Sequence, residues 1–90
     1  MSVMVQFIVK VPDVERFVTA SKKFEPRMEE MGSRGGGVYE DDNNPGLMST
    51  MSEWDSHDQM HEASEKYGDQ FNDEAGTDGL DWTTHIWQKK

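Results

Sequence analysis

Apolar and polar residues alternate along Val3 to Val11 (VMVQFIVKV), which predicts a first strand. Val3, Val5, Phe7, Val9 and Val11 share one fully apolar face; Met4, Gln6, Ile8 and Lys10 share a mixed one. The period then changes. Val14, Phe17, Val18, Ser21, Phe24, Met28 and Met31 fall within one arc of a helix. Asp13 is a good N-cap, Glu15 suits the helix dipole, and Gly32 is a natural stop. Pro26 argues for a kink or break at Glu25, because an interior proline costs about 3 kcal/mol and disfavours helical angles in the residue before it.

Ser33–Gly37 (SRGGG) reads as a loop, and Val38 to about Glu40 as a short strand. Asp41–Gly46 (DDNNPG) is dense in turn formers and links that strand to Leu47–Trp54 as a hairpin. Neither face of Leu47–Trp54 is uniformly apolar. Ser56 to Gln59 has the capping-box pattern and opens a second helix, with Met60, Ala63, Tyr67 and Phe71 on one side. Phe71 extends the apolar stripe, so the helix is expected to pass Gly68 and reach about Glu74. Trp82–Gln88 (WTTHIWQ) is the last strand, with Trp82, Thr84 and Ile86 opposite Thr83, His85 and Trp87.

The order β-α-β-β-α-β predicts an α+β, ferredoxin-like fold. Two right-handed crossovers give a four-stranded antiparallel sheet with both helices on one face. The other face is left bare, with Met4, Ile8, Trp54 or Met51, and Trp82 or Trp87 among its large candidates. Such a face asks for a partner, most simply a second copy related by a two-fold axis. Composition points the same way. Residues 1–90 make one small domain, which buries only about 60–65% of its unfolded surface. Hydrophobic residues are 33% of the chain and cysteine is absent, so no disulfide can reinforce the core.

Eighteen acidic residues against nine basic give a net charge of −9, which disfavours nucleic acid and anionic membranes as partners. Solvated acidic helix faces account for this charge, and it also suits a high-salt habitat. Met1–Val11 lacks the features of a leader, and no stretch nears the ~20 apolar residues of a membrane span, so a cytoplasmic protein is the expectation.

At the strand-to-helix junction Glu53-Trp54-Asp55-Ser56, and in length and element order, the chain resembles the dimeric α+β barrel superfamily. That group includes the antibiotic-biosynthesis-monooxygenase-like proteins and the haem-degrading monooxygenases. The resemblance implies two sheets packed face to face as a barrel, with ligands in clefts beside the sheet. Haem-degrading members use an Asn on the first strand and a Trp and a His on the second helix. Here the corresponding places hold Gln6-Phe7, Ala63 and Asn72-Asp73, so that chemistry is not expected. Other members oxidise polycyclic phenols without a cofactor.

Among residues that could carry chemistry, His85 lies mid-strand between aromatic neighbours and is the candidate general base. Gln6 is expected to share its interior, and Tyr39, Trp54 and Trp82 to stack on a flat ligand. The rival account of all five is ordinary packing. His57 and His61, at i and i+4, shadow a zinc motif, but Asp58 replaces its Glu and no third ligand is marked; no metal and no cofactor are expected. The Gly35–Gly37 run lacks the context of a phosphate loop. The leading expectation is a homodimeric, cofactor-independent monooxygenase-like enzyme acting on a small aromatic molecule. The alternative is a non-catalytic module that binds a small ligand or a protein.

Overall fold

The computed structural model describes residues 2–90; Met1, where the segment read as lacking leader features begins, lies outside the described residues. The elements are β1 (Val3–Lys10), α1 (Val14–Glu30), β2 (Arg34–Glu40), β3 (Leu47–Trp54), α2 (His57–Ala75) and β4 (Trp82–Gln88). The strands form one antiparallel sheet in the order β2-β3-β1-β4. This is the expected ferredoxin-like arrangement.

Register decides which residues share a face. Val3, Val5, Phe7 and Val9 pair with Trp54, Ser52, Thr50 and Met48 on one side, and with Gln88, Ile86, Thr84 and Trp82 on the other. Directly paired residues point the same way, so this is the face beneath the helices. Two buried clusters fill the layer between. Val9, Val11, Phe17, Ala20, Met48 and Ala75 form one; Val3, Val5, Trp54, Met60 and Ala63 form the other. Fully burying a side chain such as Phe17 or Phe24 contributes about 1.5–3 kcal/mol. The uncovered face therefore carries Met51 rather than Trp54, and Trp87 rather than Trp82.

Both helices begin at the expected caps. Asp13 Oδ1 accepts from the Arg16 N–H at 3.1 Å, and Ser56 Oγ from the Gln59 N–H at 3.2 Å. Gln59 Oε1 reaches back to the Asp55 N–H at 3.0 Å, closing the capping box one residue early. The second helix does continue past Gly68 and stops at a left-handed Gly76. Arg16, on α1, donates to the terminal carbonyls of α2, Nε to Glu74 O at 2.8 Å and Nη2 to Asp73 O at 2.7 Å.

Two expectations need correction. The helix α1 is not broken at Glu25; it runs through Pro26 to Glu30. Pro26 is exposed while Phe24 and Met28 hold the helix on its apolar side, so packing outweighs the missing hydrogen bond. And Ser33–Gly37 is not simply a loop, because β2 starts at Arg34, with irregular pairing between Arg34 and Gly37. Gly36 lies at φ +112, and a Cβ there would collide with the Met51 carbonyl, so glycine lets the bulged strand stay against β3. Arg34 bridges to Asp55 at 2.5 Å and to Glu53 at 3.5 Å. Its pKa is raised, first by the hydrogen bond to Asp55 and then, against desolvation, by the charges of Asp55 and Glu53.

Candidate functional site

The helices do not fill the space above the sheet. A cavity of about 330 Å³ remains between them and the strands. Its floor is the helix-side face of the sheet: Phe7 from β1, Thr50, Ser52 and Trp54 from β3, Trp82 and Thr84 from β4. Ser21, Phe24 and Met28 of α1 form one wall; Met60, Ser64, Gly68, Phe71 and Asn72 of α2 form the other. The cavity exists because small and large residues face each other unevenly. Phe17 and Ala20 pack tightly at one end, Met60 and Ala63 at the other, and Ser21, Ser64 and Gly68 lie between.

The aromatic rings make a cage in which two of the pairs meet edge to face. Phe7 and Trp82 stand 6.0 Å apart at 87°, Phe24 and Phe71 5.6 Å apart at 88°, and Phe71 and Trp82 6.4 Å apart. Ring edges are positive and ring faces negative, so such contacts fix the orientation of each ring. The Trp54 indole N–H is satisfied by Ser52 Oγ at 2.8 Å. The wall therefore meets a ligand mainly with carbon.

A few polar groups interrupt it. Thr77 Oγ1 donates to Asn72 Oδ1 at 2.8 Å, which turns the amide's NH₂ away from Thr77. Thr77 is fully buried, so this orientation is locked. The Ser21 hydroxyl is buried with no protein partner. A helical serine ordinarily bonds the carbonyl one turn back, so an orphan here is unusual. Lys22 and Glu25, both exposed, bring opposite charges to the rim. A second, more open cleft beside α1 is bordered by Asp13, Arg16, Lys23 and Glu74. Its cations are already engaged, Lys23 with Glu74 and Arg16 with the α2 carbonyls.

The residues singled out from sequence divide between the two sides of the sheet. Trp54 and Trp82 line the cavity. Gln6 and His85 are direct cross-strand partners on the uncovered face, with Tyr39 on the same side. There Trp87 Nε1 donates to Gln6 Oε1 at 3.4 Å, and the His85 and Trp87 rings lie 5.6 Å apart. His85 and Gln6 are thus neighbours, as expected, but neither lines the cavity. No local pattern in the sequence joins the wall residues Asn72, Gly68 and Phe24 as a set. Ser21 gave a signal, a polar residue inside the apolar arc of α1. His57 and His61 bring their rings to 5.2 Å at the exposed start of α2, and no group of three or more metal-ligating side chains occurs among the described residues.

No family model matches the chain, and no curated protein matches it in sequence. Solved structures do match in shape. A conserved protein from Methanosarcina mazei Go1 is 21% identical, with a TM-score of 0.78 over 100% of this chain and 94% of that one. A candidate antibiotic biosynthesis monooxygenase from Bordetella bronchiseptica is 14% identical, with a TM-score of 0.83 over 99% and 97%. SnoaB, a cofactor-independent oxygenase from Streptomyces nogalater, is 11% identical, with a TM-score of 0.76 over 99% and 92%. At these identities the likeness is one of fold. The chain has the fold of the antibiotic-biosynthesis-monooxygenase-like proteins, as its strand-to-helix junction implied. No helix among the described residues is long and apolar enough to cross a membrane.

Proposed function

We propose that the cavity binds a flat, weakly polar aromatic molecule and that the chain works as a homodimeric, cofactor-independent oxygenase. The observation that carries this reading is the cavity itself. A volume of about 330 Å³ suits a molecule of two or three fused rings, and its cage of Phe7, Phe24, Phe71, Trp54 and Trp82 matches such a shape. In a 90-residue chain with so little apolar material, a void of this size sacrifices packing that the domain needs.

In the reaction envisaged, a bound hydroxyarene loses its phenolic proton and the electron-rich ring reduces O₂. A carbon–oxygen bond forms at the ring, the O–O bond breaks, and a quinone and water leave: ArH(OH) + O₂ gives O=Ar=O + H₂O. The substrate supplies all the electrons. The protein's part is to hold the ring flat, exclude water and offer hydrogen bonds from Asn72 and Ser21. The role first given to His85 does not fit this cavity, because His85 lies across the sheet from it. In this reading Glu25, a carboxylate bordering the cavity, would take the proton.

One observation favours binding without turnover. Lys22 and Glu25, both exposed, are the titratable side chains along the wall. Titration with 1-naphthol and anthrone, followed by quenching of tryptophan fluorescence, tests binding; oxygen consumption with the same compounds tests turnover. Saturable quenching with no oxygen uptake would leave a binding module. No quenching by either compound would defeat the proposal outright.

The uncovered face is proposed as the contact with the second copy. Trp87 is 55% exposed, Tyr39 57% and Met4 36%, and all three lie on it. His85 and Gln6 would then be polar contacts inside the barrel. A Trp87→Lys variant should sediment as single chains where the wild type sediments as pairs.

A further inference from the structure

We infer that Gly68 sets the size of ring system the cavity admits; this rests on the cavity being the ligand site. Gly68 stands in the middle of α2, where glycine is the poorest helix former after proline. Two ordinary reasons would excuse it, and neither applies. Its backbone is not in the left-handed region, unlike that of Gly76 or Gly36. Nor does anything crowd it, since a Cβ built at Gly68 meets, beyond its chain neighbours and the backbone of its own helix, no atom within 4 Å. What the glycine preserves is therefore space.

The direction of that space follows from helix geometry. Residues four apart stack on one ridge. Ser64, Gly68 and Asn72 form such a ridge on α2, and all three line the cavity. A side chain at position 68 would rise between the other two, into the cavity or its mouth. Ser21, small and with its hydroxyl unpartnered, lines the same cavity from α1. A bulkier residue at position 68 would narrow the slot between the helices without disturbing a contact that holds the fold.

Gly68→Ala and Gly68→Leu, each titrated with 1-naphthol (two rings) and anthrone (three rings), test this. The Ala variant should unfold a few degrees higher than wild type, because the helix improves and nothing is displaced. It should bind 1-naphthol within about twofold of wild type, while anthrone weakens about tenfold, the size of loss expected for a lost or clashing methyl-sized contact. The Leu variant should lose both ligands and keep wild-type helix content. Wild-type affinity for both compounds in both variants would overturn the inference alone. A lowered melting point for Gly68→Ala would also overturn it, by showing that the backbone itself needs glycine. Failure of wild-type protein to bind either compound would instead remove the cavity reading, and this inference with it.

Discussion

Replacing Pro26 with Ala should stabilise the protein, and the size of the effect can be worked from α1. The helix continues from Val14 to Glu30 with Pro26 inside it. Proline has no N–H, so the Lys22 carbonyl one turn back loses its helical partner, and the ring crowds that carbonyl. Against Ala the penalty is about 3 kcal/mol in a helix interior. Proline also restricts the unfolded chain, which returns up to about 1 kcal/mol. Pro26 is exposed, so no packing is lost with its ring. The net expectation is a gain of about 2 kcal/mol, or ~8–16 °C in melting temperature for a domain of this size. Urea titration and thermal melting followed by circular dichroism, at one fixed protein concentration, read it directly. An unchanged or lowered midpoint would refute the reasoning. It would mean that α1 is interrupted at Glu25 in solution, as the sequence pattern alone suggests.

Three further outcomes follow from the packing. Phe71→Ala, which removes a half-buried ring in contact with Phe17, Phe24 and Trp82, should cost about 3 kcal/mol in urea and abolish naphthol quenching. Gly36→Ala should destabilise by at least about 2 kcal/mol, since it combines a positive φ with a collision against the Met51 carbonyl; a neutral result would show that the bulge relaxes freely. Asp13→Ala and Ser56→Ala each remove a side-chain cap and should each lower stability by about 1 kcal/mol, additively in the double variant because the caps belong to different helices.

The elements were legible because their signals are local. The odd-numbered run from Val3 to Val11 declares a strand with one buried side, and Asp13 and Ser56 declare helix starts. The bare underside followed from element order. What was not legible depends on neighbours far along the chain. Alternation alone separates Trp82 from Trp87, but only the pairing of Val9 with Trp82 tells which of the two lies beneath the helices. Local rules gave Pro26 the power to break α1, but the grip of Phe24 and Met28 on the core prevailed. The glycines of Ser33–Gly37 suggested a loop, because a bulge beside Met51 cannot be seen until β3 is in place. The cavity was least visible of all. It is a mismatch of side-chain sizes between layers, and periodicity reports which side a residue faces, not how far it reaches. His85 stands out by its chemistry and Ser21 by its place in an apolar arc, whereas Gly68 has no side chain to notice.

The strand order β2-β3-β1-β4 has a consequence for how the polypeptide acquires its shape. Neither β-α-β half contains a pair of adjacent strands. β3 separates β1 from β2, and β1 separates β3 from β4. A ribosome that has released residues 1–46 has released no ladder that can close, whatever helix has formed. Zipping waits for β3, and Trp82 reaches the cage only with β4. Every sheet contact except the hairpin is thus a long-range one, which slows folding and leaves β1 exposed in the meantime. Severed between Glu40 and Leu47, the two pieces should each remain unstructured alone and recover a sheet only on mixing.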